Sequence, residues 1–206
     1  MKSLFPMFVK LDAREVLVVG GGRVGEPKIR GLLPTGARIR VVAREASEAV
    51  REWARIGDII LEERSFVPSD LDNVFLVVVA TSSRDVNQLI YGEAQSRRIL
   101  CNVVDVPEHC DFYYPAVVQR GDLQIAISTS GQSPFLAQKL RQRLEKQFGP
   151  GYERWVAVLG DTRRKVLASN LDSARKRDLL HSLASAEAFE ALIAAESKTN
   201  GRSDAI

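Results

Sequence analysis

The stretch EVLVVGGGRVG, residues 15–25, decides how the rest of the chain is interpreted. A β-branched run leads directly into Gly20, Gly22 and Gly25, which stand in G-x-G-x-x-G register. Between a strand and a helix, this pattern is typical of a dinucleotide-binding turn. The first glycine permits the turn, the second lets backbone N–H groups approach a pyrophosphate, and the third lets the helix pack closely. A glycine-rich turn without a ligand is the alternative interpretation.

Strand-like and helix-like segments alternate around this turn. The strand-like segments are short and rich in β-branched residues, and we predict strands at 15–20, 37–43, 58–63, 74–80 and 98–104. The second, fourth and fifth are nearly continuous apolar runs, as expected of strands covered by helices on both faces. The alternation predicts the α/β class, with a Rossmann-type doubly wound parallel sheet.

The pattern changes after Asp105. We predict one more strand at 121–130 and then a helix with Ser133 as its N-cap and Pro134 at its first position. Beyond a break at 149–151, the spacing of apolar residues predicts three amphipathic helices.

Composition and charge exclude few classes of function. The 206 residues include 29 basic and 26 acidic side chains, so the net charge of +3 predicts neither a nucleic-acid nor a membrane partner. No apolar run approaches the roughly 18 residues of a membrane span. The N-terminal stretch is too short and interrupted for a signal peptide, and two cysteines give no disulfide framework. We therefore expect a cytoplasmic protein.

Two other strand ends should contribute to the glycine-loop site, because the carboxyl ends of parallel strands meet at one edge. After the second strand, Arg44 stands where a ribose-binding acid is expected, and Glu45 follows it. An arginine there accommodates a 2′-phosphate, so these residues leave NAD and NADP both open. After the fourth strand, Thr81 and Ser82 either line the nicotinamide and its ribose or, with Ser83, cap the next helix.

Asp105 follows the fifth strand and so belongs to the same edge. A carboxylate beside a nicotinamide can accept a proton while hydride leaves a neighbouring carbon, which predicts Asp105 as the base of a two-electron desaturation. An exposed loop acid is the alternative. His109 is the other candidate base nearby, although a packed or solvent-facing histidine is the commoner role. With Cys101 in a buried strand and no C-x-x-C present, we expect no metal site.

Several longer segments together resemble the precorrin-2 dehydrogenase family, the dehydrogenase/ferrochelatase module of sirohaem synthase. They are GGGRVGEPKI, ATSSRDVN, NVVDVPEHCDFYYPAVVQRGDLQIAISTSGQSP and LAQKLRQRLE. The resemblance covers residues 3–148 closely and the helical tail loosely. It implies a dinucleotide-binding domain over 1–112, a dimerisation element over 113–148 that forms a homodimer, and a helical C-terminal domain over 149–206. GEPK departs from the family's Ala-x-Arg-Lys but keeps Lys28.

The resemblance also implies an activity. Members oxidise precorrin-2 to sirohydrochlorin with NAD⁺, and many also insert Fe²⁺ to give sirohaem, with the aspartate matching Asp105 serving both reactions. Whether this chain also chelates metal stays open. Because members often lack the usual ribose-binding acid, the resemblance favours NAD. Taken with the residues at the strand ends, the candidate cofactor-binding residues are Gly20, Gly22, Arg23, Val24, Gly25, Arg44, Glu45, Thr81, Ser82 and Asn102.

On the substrate side, the family's serine matches Ser128. The substrate carries eight carboxylates, so His109, Arg120 and Lys139 are further candidate contacts, although each basic residue could simply be solvated. A dinucleotide-sensing regulatory domain without turnover is the main alternative, but it gives no reason for FYYPAVV and STSGQSP after Asp105. A dehydrogenase for a small imino or hydroxy acid would need an α-carboxylate clamp, for which no motif is present.

Overall fold

A computed structural model of the chain describes residues 4–200, with side chains described up to residue 194. The described residues form two compact units, divided between Tyr114 and Pro115. Residues 201–206 of the predicted C-terminal domain lie outside the described part. None of the helices in that part is both long and apolar enough to cross a membrane.

The first unit is a five-stranded parallel sheet flanked by helices, which confirms the predicted Rossmann-type α/β fold. Its strands lie in the order β3-β2-β1-β4-β5, so the order reverses between β1 and β4. This reversal is the point where ligands bind in open α/β sheets, beyond the carboxyl ends of the strands. The elements are β1 Glu15–Gly21, α1 Gly25–Leu32, β2 Arg38–Ala46, α2 Glu48–Arg55, β3 Ile60–Glu63, β4 Leu76–Val79, α3 Arg84–Arg97 and β5 Leu100–Val103.

The apolar runs are explained by burial on both faces of this sheet. Along β1, Val16 and Val18 enter one hydrophobic cluster, while Leu17 and Val19 enter the other. Removing each such side chain from water contributes about 1.5–3 kcal/mol to folding. Because helices cover both faces of the sheet, the side chains on both faces are apolar. Their burial holds the sheet between its helices.

The second strand is longer than predicted. Instead of ending at residue 43, β2 continues to Ala46, which pairs with Gly21 after a shift in register. The Ser47 N–H also donates to the Gly21 carbonyl at 2.8 Å. Pairing with Gly21 of the glycine loop thus keeps Arg44 and Glu45 within β2. Both residues lie next to that loop.

The second unit begins with an antiparallel hairpin, where the sequence predicted only one strand. Residues 116–120, which follow the aromatic segment, form the first strand of the hairpin, so the prediction of a single strand at 121–130 was wrong. The missed signal is the Gly121-Asp122 turn, where Gly121 takes a φ of +54°. The elements are β6 Ala116–Arg120, β7 Leu123–Ile127, α4 Pro134–Gln147, α5 Gly151–Ala168, α6 Ser173–Leu183 and α7 Ala186–Asn200.

The helices of this unit begin as expected. Ser133 caps α4, accepting a hydrogen bond from the Leu136 N–H at 3.2 Å, and Pro134 is its first residue. Tyr152 and Trp155 of α5 pack against Phe189 of α7 with ring centroids 4.5 and 5.0 Å away. The division of this unit into a dimerisation element and a helical domain stays a prediction.

Candidate active site

The glycine loop is shaped by close backbone contacts. Gly20 has a φ of +110°, and a Cβ there would lie 2.4 Å from the Ala80 carbonyl oxygen. A Cβ on Gly25 would lie 1.9 Å from the Gly20 carbonyl oxygen. At Gly22, by contrast, a Cβ would meet no atom within 4 Å. Two glycines are thus required by packing, while the middle one keeps a space open above the loop, as a bound pyrophosphate would require.

A cavity of about 480 Å³ opens at this edge of the sheet. Its volume lies within the range of small-molecule sites. Its walls come from the carboxyl ends of four strands and the start of α3, namely residues 19–22, 42–45, 64–66, 80–83 and 86. The structure therefore brings together six predicted cofactor residues: Gly20, Gly22, Arg44, Glu45, Thr81 and Ser82. Arg23 and Val24 are exposed between Gly22 and the first residue of α1.

Sequence reasoning missed the contribution of the third strand. Arg64, Ser65 and Phe66 follow β3 and line the cavity. The available signal was their position, because every strand of a parallel sheet ends at this edge. Polarity alone did not single out any of the three.

The Arg64 guanidinium belongs to an ion cluster centred on Asp70, whose side chain is 4% exposed. Arg64 lies 2.6 Å from Asp70 Oδ1 and 2.6 Å from Glu62 Oε2, and Arg40 lies 3.1 Å from the same Asp70 oxygen. Burial raises the pKa of Asp70, but hydrogen bonds from Arg64, the Val67 N–H and Arg40 outweigh it and hold the pKa below its usual value. The cluster anchors the segment after β3 that forms this cavity wall.

Two hydroxyls of the segment after β4 form hydrogen bonds that hold its conformation. Ser83 caps α3, accepting from the Val86 N–H. The Thr81 hydroxyl donates to Asn87 Oδ1 at 2.6 Å and accepts from the Ser83 N–H at 3.2 Å. Both residues therefore organise the loop that lines the cavity. Asn87 was not predicted as a site residue, because nothing in its sequence position distinguishes it from an ordinary helix residue.

Asp105 lies at the tip of a loop that folds back on β5. Its φ of +64° lies in the left-handed region, which aspartate adopts more readily than most residues other than glycine. The turn around it is closed by the Val106 N–H, which donates to the Val103 carbonyl at 3.1 Å. Asp105 itself is exposed. The fold thus presents the predicted base at the same edge of the sheet as the cavity.

Polar side chains on both arms of the loop hold it closed. Asn102 Nδ2 donates to the Phe112 carbonyl at 2.7 Å. Asp111 Oδ2, which sequence reasoning missed, accepts from the Cys101 N–H at 2.9 Å and from Gln95 Nε2 at 2.8 Å. The observed contacts give Asn102 a role in shaping the loop, and its contact with a cofactor stays a prediction.

The two thiols are held in their neutral form. Burial, followed by the neighbouring Asp111 and Cys110, raises the pKa of Cys101 to about 12. Burial also raises the pKa of Cys110, whose Sγ donates to the Val103 carbonyl at 3.2 Å. Among the described residues, no three His, Cys, Asp or Glu side chains cluster as metal ligands.

His109 is packed rather than free in solvent. Its ring stacks on Tyr91 of α3, with centroids 4.2 Å apart and planes inclined by 18°. This contact fixes the histidine four residues beyond Asp105. A role for His109 toward substrate stays a prediction.

Three predicted substrate residues belong to the second unit. Ser128 follows β7, is exposed, and accepts from the Ser130 N–H at 3.1 Å. Lys139 is exposed on α4. The Arg120 guanidinium instead donates to the backbone carbonyls at the end of α4, those of Glu145 and Phe148, at 3.1 and 2.9 Å. This geometry gives Arg120 a capping role, and its contact with substrate stays a prediction.

Comparisons with known proteins agree with this architecture. A family model described as "Putative NAD(P)-binding" matches residues 7–116, and one described as "Sirohaem biosynthesis protein central" matches residues 120–147. Siroheme synthase 2 of Pectobacterium atrosepticum is 38% identical over 161 residues, covering 78% of this chain and 35% of the relative. Siroheme synthase 3 of Aeromonas hydrophila is 41% identical over 163 residues, covering 79% and 35%. The chain thus spans about a third of the length of these curated relatives.

The solved structure of SirC, a precorrin-2 dehydrogenase, matches with a TM-score of 0.80 and 30% identity, covering 92% of this chain and 94% of that one. Fold and cavity define a dinucleotide-binding protein of the Rossmann class. More particularly, the chain belongs to the precorrin-2 dehydrogenase family, the dehydrogenase module of sirohaem synthases.

Proposed function

We propose that this chain oxidises precorrin-2 to sirohydrochlorin, with NAD⁺ as the electron acceptor. The observation that carries the proposal is the nearly full-length likeness to SirC, whose name states this activity. Such a desaturation requires a proton acceptor at the edge of the sheet, and the Asp105 carboxylate, in the loop that follows β5, is a group of this kind.

In the first unit, one group of residues binds the cofactor and another residue accepts the proton. The glycine loop and the cavity walls fit a nicotinamide dinucleotide, with Gly22 leaving the backbone open to its pyrophosphate. When bound, this group supplies the hydride acceptor. Asp105 accepts the proton released from the substrate, and the hydrogen bonds of Asp111 and Asn102 hold the loop that carries it.

We propose NAD rather than NADP as the dinucleotide. Glu45 lines the cavity next to Arg44, and its carboxylate would repel a 2′-phosphate. The other arginine of the wall, Arg64, is already neutralised by Asp70 and Glu62. Arg44 remains as the cationic residue of the wall, so the proposal of NAD rests on the opposing carboxylate of Glu45 beside it.

The test is an anaerobic absorbance assay with freshly generated precorrin-2, run with NAD⁺, with NADP⁺ and with neither. The sirohydrochlorin spectrum should appear with NAD⁺ and be lost in Asp105→Asn, while dinucleotide binding is retained. Asparagine is the appropriate replacement because it tolerates the left-handed backbone at this position. Dinucleotide binding without turnover would favour the regulatory alternative, and turnover surviving in the variant would move the base elsewhere, with His109 the next candidate.

Three other predictions belong to the same proposal. Ferrochelatase activity is tested by adding Fe²⁺ to the product and monitoring sirohaem formation, again with Asp105→Asn for comparison. The homodimer is tested by light scattering of the purified chain. A cytoplasmic location, expected from the sequence, is tested by cell fractionation.

A further inference from the structure

Lys28 is a half-buried cation at the edge of the sheet that carries Asp105. It lies one turn into α1, directly after the glycine loop. Its Nζ sits over the ring of Tyr114, 4.1 Å from the centroid. The face of an aromatic ring carries partial negative charge, so it attracts the ammonium group placed over it and contacts one side of that group.

This cation has no ion-pair partner within 4 Å among the described residues. Burial lowers the pKa of Lys28, and the charges of Asp105 and Cys110 raise it only in part. Arg40 and Arg64, in the same unit, are by contrast paired directly with Asp70. A partly desolvated ammonium without such a partner costs stability, and an anionic ligand bound beside it would offset that cost.

Two anions could meet Lys28, a phosphate of the dinucleotide or a carboxylate of the substrate. Lys28 is not among the residues that line the dinucleotide cavity. Its ammonium instead contacts Tyr114, and the groups that raise its pKa are Asp105 and, at the alkaline pH where thiols ionise, Cys110. These three residues belong to the segment that follows β5, which places Lys28 on the side of the proposed base.

We propose that Lys28 binds an acidic side arm of the tetrapyrrole substrate beside Asp105, an inference that rests on the proposed function. Three ammonium hydrogens are available, and a carboxylate can accept one or two of them while Tyr114 covers another side. The contact would orient the ring so that its reacting carbon faces the proton acceptor. Lys28 would then be a substrate-binding residue, distinct from the cofactor site.

The test compares Lys28→Met, which removes the charge at similar length, with Lys28→Arg, which keeps it. Lys10→Met is the matched control, because it removes one positive charge from an exposed position of the same unit. The probe is uroporphyrin III, a stable fluorescent tetrapyrrole with eight carboxylates, titrated alongside NAD⁺. We expect Lys28→Met to weaken uroporphyrin binding about tenfold or more, as for loss of a charge-assisted hydrogen bond. Lys28→Arg, Lys10→Met and the NAD⁺ affinity of every variant should change by less than about threefold.

Unchanged uroporphyrin binding in Lys28→Met, or no binding by the wild-type chain, would overturn the inference. A loss of NAD⁺ affinity instead would assign Lys28 to the dinucleotide phosphates and overturn it equally. Turnover of precorrin-2 by the wild-type chain is measured separately. If that turnover is absent while uroporphyrin binding depends on Lys28, the proposed oxidation fails and the anion contact stands. If turnover is normal while binding does not depend on Lys28, the oxidation stands and the anion contact fails.

Discussion

Thr81 and Asn87 bind each other through two hydrogen bonds at the wall of the cavity. The Thr81 hydroxyl donates to Asn87 Oδ1 at 2.6 Å, and Asn87 Nδ2 donates back to the Thr81 carbonyl at 3.2 Å. Asn87 is 9% exposed, so water cannot readily replace either contact. A buried helix residue thereby determines the shape of the segment that follows β4.

Replacing Asn87 by alanine should loosen this segment and weaken dinucleotide binding. The Thr81 carbonyl loses this partner and its hydroxyl is left with the longer contact to the Ser83 carbonyl at 3.3 Å. Leaving polar groups unsatisfied costs about 1–3 kcal/mol where they are buried. We expect a lower melting temperature and roughly tenfold weaker NAD⁺ binding, measured by calorimetry and fluorescence titration. Gln88→Ala, at the exposed neighbouring position, is the control. NAD⁺ affinity equal to that of the control would show that the segment does not hold the cofactor.

Two glycine substitutions should separate folding from binding. Gly25→Ala places a methyl group 1.9 Å from the Gly20 carbonyl oxygen, so backbone must move. We expect it to destabilise the protein by about 2–4 kcal/mol. Gly22→Ala meets no atom within 4 Å, so the fold should keep its stability while the added methyl obstructs the pyrophosphate. Thermal melts and NAD⁺ titrations of both variants check this, and equal melting temperatures would contradict it.

The Asp70 cluster should dominate stability among the charged groups of the first unit. Asp70→Asn leaves Arg40 and Arg64 without their buried partner, and we expect a loss of about 3 kcal/mol at neutral pH in urea denaturation. Because the folded-state pKa of Asp70 lies below its usual 3.8, its stabilisation is present above that pH and lost as pH falls. The variant should therefore lose less stability on acidification than the wild type does.

Glu63→Gln is the control for Asp70, since Glu63 pairs with Arg51 at the exposed surface at 2.7 Å. Exposed pairs contribute little, so its denaturation midpoint should stay close to that of the wild type. Comparable losses in both variants would mean that burial of Asp70 is not what makes the cluster important.

The pKa of Lys28 should fall further when Asp105 is replaced by asparagine. The Asp105 charge raises that pKa, against the larger lowering effect of burial, so removing it leaves burial less opposed. Reductive ¹³C-methylation followed by NMR titration measures the change at Lys28, with the exposed Lys10 as internal reference. An equal or higher Lys28 pKa in Asp105→Asn would show that the two charges do not interact.

Lys28 should also make the free energy of unfolding depend on pH. The ammonium is disfavoured by folding, so the unfolded chain binds more protons between the folded and unfolded pKa of Lys28. Stability from this group therefore rises as pH increases through that window, toward the ordinary lysine pKa of 10.5. Lys28→Met should abolish that rise and be at least as stable as wild type near neutral pH. A strongly destabilised Lys28→Met would mean that the side chain serves packing instead.

The order of elements in the first unit could be predicted from the chain alone, because its signals are local. Runs such as LVVV at 76–79 must be buried on both faces, and Gly20, Gly22 and Gly25 mark the turn by their spacing. The hairpin of β6 and β7 was predicted only in part, because a short strand next to aromatic residues resembles a loop until its partner is known. Ser133 and Pro134 marked the start of α4 correctly, since capping depends on adjacent residues.

The cavity walls and the charge contacts depended on tertiary structure. Arg64 and Asn87 reach the site through Asp70 and Thr81, and neither partnership follows from a local pattern. The sequence also did not show that the Arg120 guanidinium caps the end of α4, where it donates to a carbonyl 25 residues away. Local spacing determines which backbone conformations are possible, whereas burial and the pairing of distant polar groups are decided only when the chain is packed. For that reason the glycine loop and the Asp105 position were predictable, and the half-buried ammonium of Lys28 over Tyr114 was not.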